Sequence, residues 1–190
     1  MYLFFDTETT GLPDFKKRAS DRCQPDMVEL AALVTDAYGN IKAELSFLIN
    51  PRAWVHSIGV RAFEAHQITR ELCSQYGVDI DLALDRFCDL CKEAEFIVAH
   101  NLEFDKFIVQ TAMYRCNRKL RIGHLREFCT MKESTNVVCL GGPYTFKLPK
   151  LSEAYEFFFN RSLADSHNAM SDVTACKDIF FKLKDRGLVV

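Results

Sequence analysis

Two carboxylates near the start of the chain, Asp6 and Glu8, lie two residues apart in a run that the sequence predicts to be a β-strand. Alternate residues of a strand point to the same face, so the two side chains project together. They repel each other unless a cation lies between them, and hard oxygen ligands suit Mg²⁺ or Mn²⁺. The pair alone is equally compatible with two solvated charges at a strand end.

Three more residues with suitable chemistry follow later in the chain: Asp105, His167 and Asp172. Asp105 is expected in the first turn of a helix, where an acidic side chain also favours the helix dipole. Asp172 borders the apolar face of the last predicted helix, where a carboxylate needs a partner or a metal ion. His167 precedes that helix. A capping histidine and a surface aspartate are the alternative interpretation of this pair.

These five residues come from three segments that can meet at one edge of a sheet. Four acidic side chains cannot crowd together without cations. Two metal ions about 4 Å apart are the usual arrangement for in-line displacement at phosphorus, because they activate water and stabilise the developing charge. A histidine with a pKa of about 6.5 is suited to take the proton from that water. The constellation therefore predicts metal-dependent chemistry at phosphorus.

The elements that must position these residues follow from the hydrophobic pattern, which predicts five strands and five helices. The strands are expected at Tyr2–Glu8, Met27–Thr35, Ile41–Ile49, Phe96–Ala99 and Phe128–Met131. The helices are expected at Thr69–Tyr76, Asp79–Ala94, Glu103–Arg115, Leu151–Phe159 and Ala169–Lys184. Lys132–Lys150 contains Gly141-Gly142-Pro143 and Pro149 and is expected to be mostly loop. Strands first, then strands alternating with helices, indicate an α/β domain with a mixed sheet.

Three motifs carry a resemblance to a known family. They are Phe5-Asp6-Thr7-Glu8-Thr9-Thr10-Gly11-Leu12, His100-Asn101-Leu102-Glu103-Phe104-Asp105 and His167-Asn168-Ala169-Met170-Ser171-Asp172. In this order they resemble the three motifs of the DEDD exonucleases, in the histidine (DnaQ-like) form that includes the proofreading epsilon subunit of the bacterial replicative DNA polymerase. The tyrosine subgroup would carry tyrosine where this chain has Asn168. The resemblance extends from residue 2 to about residue 180.

The resemblance implies a single exonuclease domain over residues 1–190, with a ribonuclease H-like α/β fold. Its mixed five-stranded sheet would have the order 3-2-1-4-5 and be flanked by helices. The implied activity is 3′–5′ exonuclease hydrolysis of terminal phosphodiester bonds in single-stranded or frayed DNA, with two divalent metal ions (Mg²⁺ or Mn²⁺). Nucleoside 5′-monophosphates would be released. A 3′–5′ exoribonuclease and a catalytically idle adaptor that binds a polymerase are the alternatives.

The resemblance also implies roles for individual residues. Asp6, Glu8, Asp105 and Asp172 would be the metal-binding carboxylates, and His167 would be the general base. Leu12 would wedge against the last base. A group of residues would contact the terminal nucleotide: Thr7, Thr9, Gly11, Leu12, His66 and Phe104. The segment from Ala65 to Thr69 departs from the family pattern at Gln67, where glycine is common, so the contacts of that residue are open.

Composition sets broader limits. The 190 residues suit one domain, and the formal net charge of −2 is not that of a basic nucleic acid coat protein. No apolar run is long enough to span a membrane, and the first residues do not resemble a signal peptide, so a cytoplasmic protein is expected. The expected partner is a nucleic acid with a free 3′ end, DNA rather than RNA. A DNA polymerase is a possible partner, and the oligomeric state stays open.

Two basic segments and the cysteines allow more than one interpretation. The loop Pro13–Pro25 carries Lys16, Lys17 and Arg18 and is either a substrate clamp or a solvated loop. The group Arg115, Arg118, Lys119 and Arg121 either follows a phosphate backbone or forms a solvated helix end. The 8 cysteines are scattered and are expected to be reduced. Cys88 and Cys91 have CxxC spacing, but their helical periodicity favours a packed helix face over a zinc site.

Overall fold

A mixed five-stranded sheet forms the centre of the molecule, in a computed structural model that describes residues 1–141, 145–163 and 168–189. The strand order is β3-β2-β1-β4-β5, which confirms the predicted order 3-2-1-4-5. The strands β1 and β2 pair antiparallel, as do β2 and β3, whereas β4 and β5 run parallel to β1. The strands are β1 (Tyr2–Thr9), β2 (Met27–Thr35), β3 (Ile41–Leu48), β4 (Phe96–Ala99) and β5 (Arg126–Cys129).

Helices cover both faces of this sheet. They are α1 (Val60–His66), α2 (Arg70–Tyr76), α3 (Ile80–Glu93), α4 (Leu102–Arg115), α5 (Thr130–Val138), α6 (Leu151–Phe159) and α7 (Ala169–Asp185), with a 3₁₀ turn at Pro51–Ala53. The helices α3 and α4 contribute to one apolar core, and α5, α6 and α7 contribute to the other. No helix within the described ranges is long and apolar enough to cross a membrane.

Neighbouring phenylalanines of β1 join the two cores, because successive strand residues point to opposite faces. Phe5 packs against Phe87 of α3 with ring centroids 5.2 Å apart, and Phe4 packs against Phe180 of α7, also at 5.2 Å. All four side chains are at most 1% exposed. Burying a side chain of this size stabilises the folded state by about 1.5–3 kcal/mol. Through Phe180, this packing fixes α7 against the strand that carries Asp6 and Glu8.

The region after β4 differs from the sequence expectation. The last strand is Arg126–Cys129 rather than Phe128–Met131, and the expectation that Lys132–Lys150 is mostly loop was wrong for its first part, because α5 occupies Thr130–Val138. Val138 is buried in the core formed with α6 and α7, which stabilises a helix whose sequence has no strong capping signal. The short helix α1 was not predicted either.

Ion pairs occupy two members of the basic group at the end of α4. The Arg115 guanidinium forms an ion pair with Asp26, a carboxylate that is 2% exposed, and also donates to the main-chain carbonyl of Pro25. Arg118 pairs with Asp81 and Asp85 of α3. The interpretation of Arg115 as a backbone-tracking or solvated residue was therefore wrong, because a buried partner far along the chain binds it.

All 8 cysteines are free. Cys91 of α3 is buried at 3% exposure, and Cys88 packs beside it against the same core. Burial raises the pKa of the Cys91 thiol to about 12, so this thiol stays protonated at neutral pH. The CxxC pair therefore forms part of a helix packing face, as its periodicity predicts.

Candidate active site

Three carboxylates meet where β1 approaches its carboxyl end. Asp6 and Glu8 project from one face of β1, and Asp172 comes from the first turn of α7. One ligand oxygen from each lies within 4.8 Å of the others. In the part of the chain that the structure describes, no other group of three or more histidine, cysteine or acidic side chains meets this distance. Oxygen donors at this spacing suit a hard divalent cation.

The start of α7 sets the position of Asp172. The side-chain oxygen of Asn168 accepts a hydrogen bond from the backbone N–H of Ser171 at 3.2 Å, which is a typical N-cap. The backbone N–H of Asp172 donates to the carbonyl of Asn168 at 3.0 Å. Asn168 therefore marks the start of α7, and Asp172 lies in the first turn of this helix.

Asp105 lies beside this group, on α4, and is 2% exposed. Its Oδ1 accepts two hydrogen bonds from Thr7, one from the backbone N–H at 3.0 Å and one from the hydroxyl at 2.8 Å. Thr7 lies between the two acidic residues of β1, so these bonds hold Asp105 against the strand that carries Asp6 and Glu8. Asp105 does not belong to the group within 4.8 Å, but its charge raises the pKa of both Asp6 and Glu8.

The electrostatics of the cluster call for a cation. Burial, followed by the charges of Asp105 and Glu8, raises the pKa of Asp6 well above its usual range. Burial and the charge of Asp172 raise the pKa of Glu8 to about 8, and burial raises the pKa of Asp105 to about 7 against the hydrogen bonds from Thr7. Four carboxylates in this space cannot all be ionised at neutral pH without a compensating positive charge. Divalent cations supply that charge, so the donor set fits them.

A cavity of about 530 Å³ borders the cluster. Glu8 lines it, and α1 contributes one wall through Val60, Arg61 and Ala62. All the residues that the sequence assigned to the terminal nucleotide also line it: Thr7, Thr9, Gly11, Leu12, His66 and Phe104. The structure thus brings this set together in one cavity, beside the carboxylates.

Hydrogen bonds to His66 hold the wall of this cavity. The backbone N–H of Ile68 donates to His66 Nδ1 at 3.0 Å, so the proton of the neutral ring lies on Nε2. That nitrogen donates to the main-chain carbonyl of Thr9 at 3.2 Å. The Thr9 hydroxyl in turn donates to the carbonyl of Gly11 at 2.6 Å. The end of β1 and the end of α1 are therefore fixed to each other through one buried imidazole.

Gln67, where the family commonly has glycine, adopts the left-handed conformation at φ 56° and ends α1. Glycine reaches this region without strain, and that explains the common residue. In this chain the Gln67 amide donates to the carbonyls of Phe63 and Glu64 at 3.0 and 2.9 Å. These bonds satisfy helix-terminal carbonyls and offset the conformational cost. The side chain is exposed and does not line the nucleotide cavity.

A buried glutamine organises the basic loop between β1 and β2. Gln24 is fully buried, accepts a hydrogen bond from the Asp14 backbone N–H at 3.0 Å and donates to the carbonyls of Asp14 and Arg18 at 2.9 and 3.2 Å. Lys16, Lys17 and Arg18 are exposed on the outside of the loop. An ordered loop with outward cations is compatible with both interpretations given above, so the clamp stays a prediction.

Sequence reasoning missed one residue that faces the cluster. Glu29 of β2 lies directly opposite Glu8 in the strand register and is only 7% exposed. Its charge raises the pKa of Asp6 and Glu8. The available signal was a single carboxylate in the otherwise apolar run Met27–Val34, where a buried charge needs an explanation. His167, the predicted general base, lies outside the described residues.

The profile of the exonuclease (RNase_T) family matches residues 3–180. A search of curated proteins finds no match. Among solved structures, E. coli exonuclease I in complex with a dT13 oligonucleotide has a TM-score of 0.77 at 18% identity, covering 97% of this chain. The zinc ion bound form of the E. coli exonuclease I–ssDNA complex has a TM-score of 0.74 at 19% identity, again over 97%.

Exonuclease I from Methylocaldum szegediense also matches, with a TM-score of 0.72 and 17% identity over 97% of this chain. At these identities the likeness establishes a shared fold. The chain spans only 40–41% of the length of these three structures.

Proposed function

Because the chain belongs to the exonuclease family, whose profile spans residues 3–180, we propose that it removes nucleotides one at a time from the 3′ end of single-stranded or frayed DNA. The reaction uses two divalent cations, Mg²⁺ or Mn²⁺, and releases nucleoside 5′-monophosphates. One observation carries the proposal: the ligand oxygens of Asp6, Glu8 and Asp172 lie within 4.8 Å of one another. The cavity of about 530 Å³ beside them accommodates a terminal nucleotide.

The four carboxylates of Asp6, Glu8, Asp105 and Asp172 would hold the cations. When bound, such ions favour ionisation of the attacking water and neutralise charge that develops on the phosphate. Thr7 keeps the Asp105 carboxylate in place through two hydrogen bonds. A carboxylate that is already fixed needs no reordering when it binds a cation, so the site is preorganised.

His167 is the proposed general base. In this role its imidazole accepts the proton of the attacking water. The ordinary pKa of an imidazole, about 6.5, suits this proton transfer at neutral pH. Asn168, the next residue, caps α7 and is anchored by its hydrogen bond with Ser171. In the sequence His167 directly precedes Asn168, the residue that caps the helix carrying Asp172.

The residues of the cavity wall would bind the terminal nucleotide and take no part in the hydrolysis itself. Leu12, Val60 and Phe104 present apolar surface to a base and its sugar, and every base has an apolar face, so such contacts tolerate any sequence. At Gly11 a Cβ would meet no other atom within 4 Å, so the space beside its backbone is open to a ligand. The wall therefore suits a terminal nucleotide of any base.

The preference for DNA rests on the structural relatives. Exonuclease I of E. coli has been solved with dT13 and with dA16 oligonucleotides, and each structure matches 97% of this chain. RNA would use the same carboxylates, so the choice between DNA and RNA depends on contacts with the 2′-hydroxyl. Association with a DNA polymerase stays a prediction from the resemblance.

Digestion of matched, 5′-labelled DNA and RNA oligonucleotides tests the proposal. We expect DNA to shorten stepwise from its 3′ end with Mg²⁺ or Mn²⁺ and to stay intact in EDTA. Asp172→Asn should abolish the ladder, whereas Asp178→Asn, on the same helix and paired with Lys177, should leave it unchanged. Digestion that persists in EDTA, or circular DNA cut as fast as linear DNA, would contradict the proposal. RNA digested faster than DNA would make the protein an exoribonuclease.

A further inference from the structure

A groove of about 550 Å³ lies beside the first turns of α4. The same two elements line this groove and the nucleotide cavity. The loop between β1 and β2 contributes Leu12 to the cavity and Phe15 to the groove, and α4 contributes Phe104 to the cavity and Phe107 to the groove. The groove therefore adjoins the site that would hold the terminal nucleotide.

Two phenylalanines form an aromatic wall of the groove. Phe15 packs against Phe107 in an edge-to-face arrangement, with ring centroids 5.2 Å apart and an interplanar angle of 61°. This contact connects the loop after β1 to α4. The Phe15 side chain is nevertheless 51% exposed. About half of it is therefore available to a ligand.

Hydrogen bonds on both sides of Phe15 hold it in this position. The backbone N–H of Asp14 donates to the fully buried side chain of Gln24 at 3.0 Å, and the Asp14 carbonyl accepts from the Gln24 amide at 2.9 Å. The backbone N–H of Lys16 donates to the Asp14 carboxylate at 3.0 Å, and that of Lys17 donates to the Asp14 carbonyl, also at 3.0 Å. Binding to a group that is already ordered costs less conformational entropy.

The charged side chains of the groove pair with one another. The Lys106 ammonium donates to both carboxylate oxygens of Glu127, at 2.7 and 2.9 Å, and the Lys132 ammonium lies 3.8 Å from a carboxylate oxygen of Glu103. Both lysines that line the groove are thus neutralised by a carboxylate. The groove therefore suits the apolar face of a base better than it suits a phosphate.

Unpaired cations lie instead on the loop that carries Phe15. Within the described residues, the one ion pair of this loop joins Lys17 to Asp14, and the exposed side chains of Lys16 and Arg18 have none. Exposed aromatic rings on which bases stack, beside cations that meet the phosphates, are the combination that binds single-stranded nucleic acid. The charge of the loop complements such a strand.

We propose that Phe15 binds the substrate strand on the 5′ side of the scissile bond. A base of that strand stacks on the Phe15 ring above the groove, and Lys16 and Arg18 contact its phosphates. The inference rests on the proposed function, since the occupant is the strand whose 3′ end lies in the nucleotide cavity. Every base has a face that stacks on an aromatic ring, so this subsite accepts any sequence.

Two substrates separate the subsite from the cavity. The p-nitrophenyl ester of thymidine 5′-monophosphate has no nucleotide on the 5′ side of its scissile bond, whereas a thymidylate dodecamer extends well beyond it. We expect Phe15→Ala to raise KM for the dodecamer by about 10–100-fold, because a stacked base is lost. The kcat for the dodecamer and the KM for the ester should not change, because the carboxylates and the cavity are untouched. Phe15→Trp, which keeps an aromatic face, should retain the wild-type KM for both substrates.

Phe157→Ala is the matched control, because Phe157 is 44% exposed on α6 and lines neither the groove nor the cavity. Circular dichroism checks that each variant is folded. If Phe15→Ala does not fold, Phe15→Leu, which keeps an apolar side chain without a ring, is compared with Phe15→Trp and should show the same rise in KM.

A folded Ala variant with the wild-type KM for the dodecamer would overturn the proposal. An equal rise in KM for the ester would also overturn it, because Phe15 would then only support the cavity wall. Wild-type protein that digests neither DNA nor RNA would instead contradict the proposed function. Fluorescence anisotropy with the labelled dodecamer would in that case still test Phe15.

Discussion

Thr7 and Asp105 lie 98 residues apart in the chain and are joined by two hydrogen bonds to the same carboxylate oxygen. The backbone N–H of Thr7 is 3.0 Å from Asp105 Oδ1, and its hydroxyl is 2.8 Å away. Both groups are buried. The residue between the two acidic side chains of β1 therefore fixes a third acidic side chain of the cluster.

Removing the Thr7 hydroxyl should loosen Asp105. Thr7→Val keeps the shape and the backbone bond but removes one hydrogen bond to a carboxylate, which contributes about 1.5–3 kcal/mol. We expect the variant to bind Mn²⁺ about 10-fold more weakly and to lose kcat by a similar factor. Thr7→Ser, which keeps the hydroxyl, is the control and should be close to wild type. Calorimetric Mn²⁺ titration and single-turnover digestion measure both effects, and a Val variant with wild-type Mn²⁺ affinity would show that the hydroxyl has no such role.

Local patterns were sufficient to predict most of the sheet and the cluster. The apolar strands β1, β2 and β4 and the amphipathic helices α3 and α7 follow from periodicity, and the motifs that contain Asp6, Asp105 and Asp172 imply their convergence. The order of the strands came from the resemblance, because periodicity alone does not specify which strands are neighbours.

Features that depend on distant partners could not be predicted. Arg115 is bound to Asp26, 89 residues away, and no local pattern indicates that pair. The helix α5 has weak local signals and is stabilised by packing against α6 and α7. The glycines and prolines that follow it in the sequence therefore favoured a loop for the whole segment. Glu29 stood out only as a charge in an apolar run, and its hydrogen bond with Ser46 of β3 became apparent only in the fold.

Stability without metal should fall as the pH rises through neutrality. The pKa of Glu8 is raised from 4.5 to about 8 and that of Asp105 from 3.8 to about 7, so the folded state binds these protons more tightly than the unfolded chain. The stability they contribute is present at low pH and is lost as the pH rises through the folded-state values. His100, whose pKa burial lowers from 6.5 to about 4, acts in the opposite direction, but its contribution is complete above about pH 6.5.

Thermal melting in EDTA between about pH 6.5 and pH 8.5 therefore isolates the carboxylates. The Tm should fall across this window, and saturating Mg²⁺ should remove the fall because cations favour the ionised cluster. Glu8→Gln should flatten the EDTA profile. A Tm that rises with pH in EDTA would contradict the electrostatic account.

Asp6→Asn should separate stability from activity. The charge of Asp6 is opposed by those of Asp105, Glu8 and Asp172, so removing it relieves repulsion in the metal-free protein. We expect a higher Tm than wild type in EDTA at about pH 8, a smaller rise on adding Mg²⁺, and a loss of turnover of about 10³-fold. Scanning calorimetry with and without Mg²⁺ gives both temperatures. An Asn variant that melts lower and responds normally to Mg²⁺ would make Asp6 a structural residue.

Leu12→Ala should weaken substrate binding without destabilising the fold. Leu12 lines the nucleotide cavity although its side chain is 82% exposed. Losing an exposed side chain changes the free energy of unfolding by less than about 0.5 kcal/mol. Losing a contact that a base would bury should raise KM by about 10-fold. Tyr38→Ala, 89% exposed in the turn between β2 and β3, is the control and should leave KM unchanged. Equal KM values for both variants would exclude Leu12 from the substrate contact.

His167→Ala tests the proposed general base. Loss of a general base costs about 10²–10⁴ in rate, so we expect a decrease of that order in single-turnover digestion. Mn²⁺ and oligonucleotide binding should be retained, because the carboxylates and the cavity wall are untouched. The wild-type rate should rise with pH between about pH 6 and pH 7 as the imidazole loses its proton.

That acidic arm should flatten in the Ala variant, since no imidazole remains to titrate, and hydroxide should restore part of the rate at high pH. His124→Ala provides the comparison, because His124 contacts the Cys91 carbonyl and does not line the nucleotide cavity. Near-normal activity of the His167 variant at neutral pH would place the base elsewhere and contradict the histidine subgroup. Loss of Mn²⁺ binding would make His167 a ligand or a structural support, because a base that only accepts a proton does not change the affinity of the carboxylates for the cation.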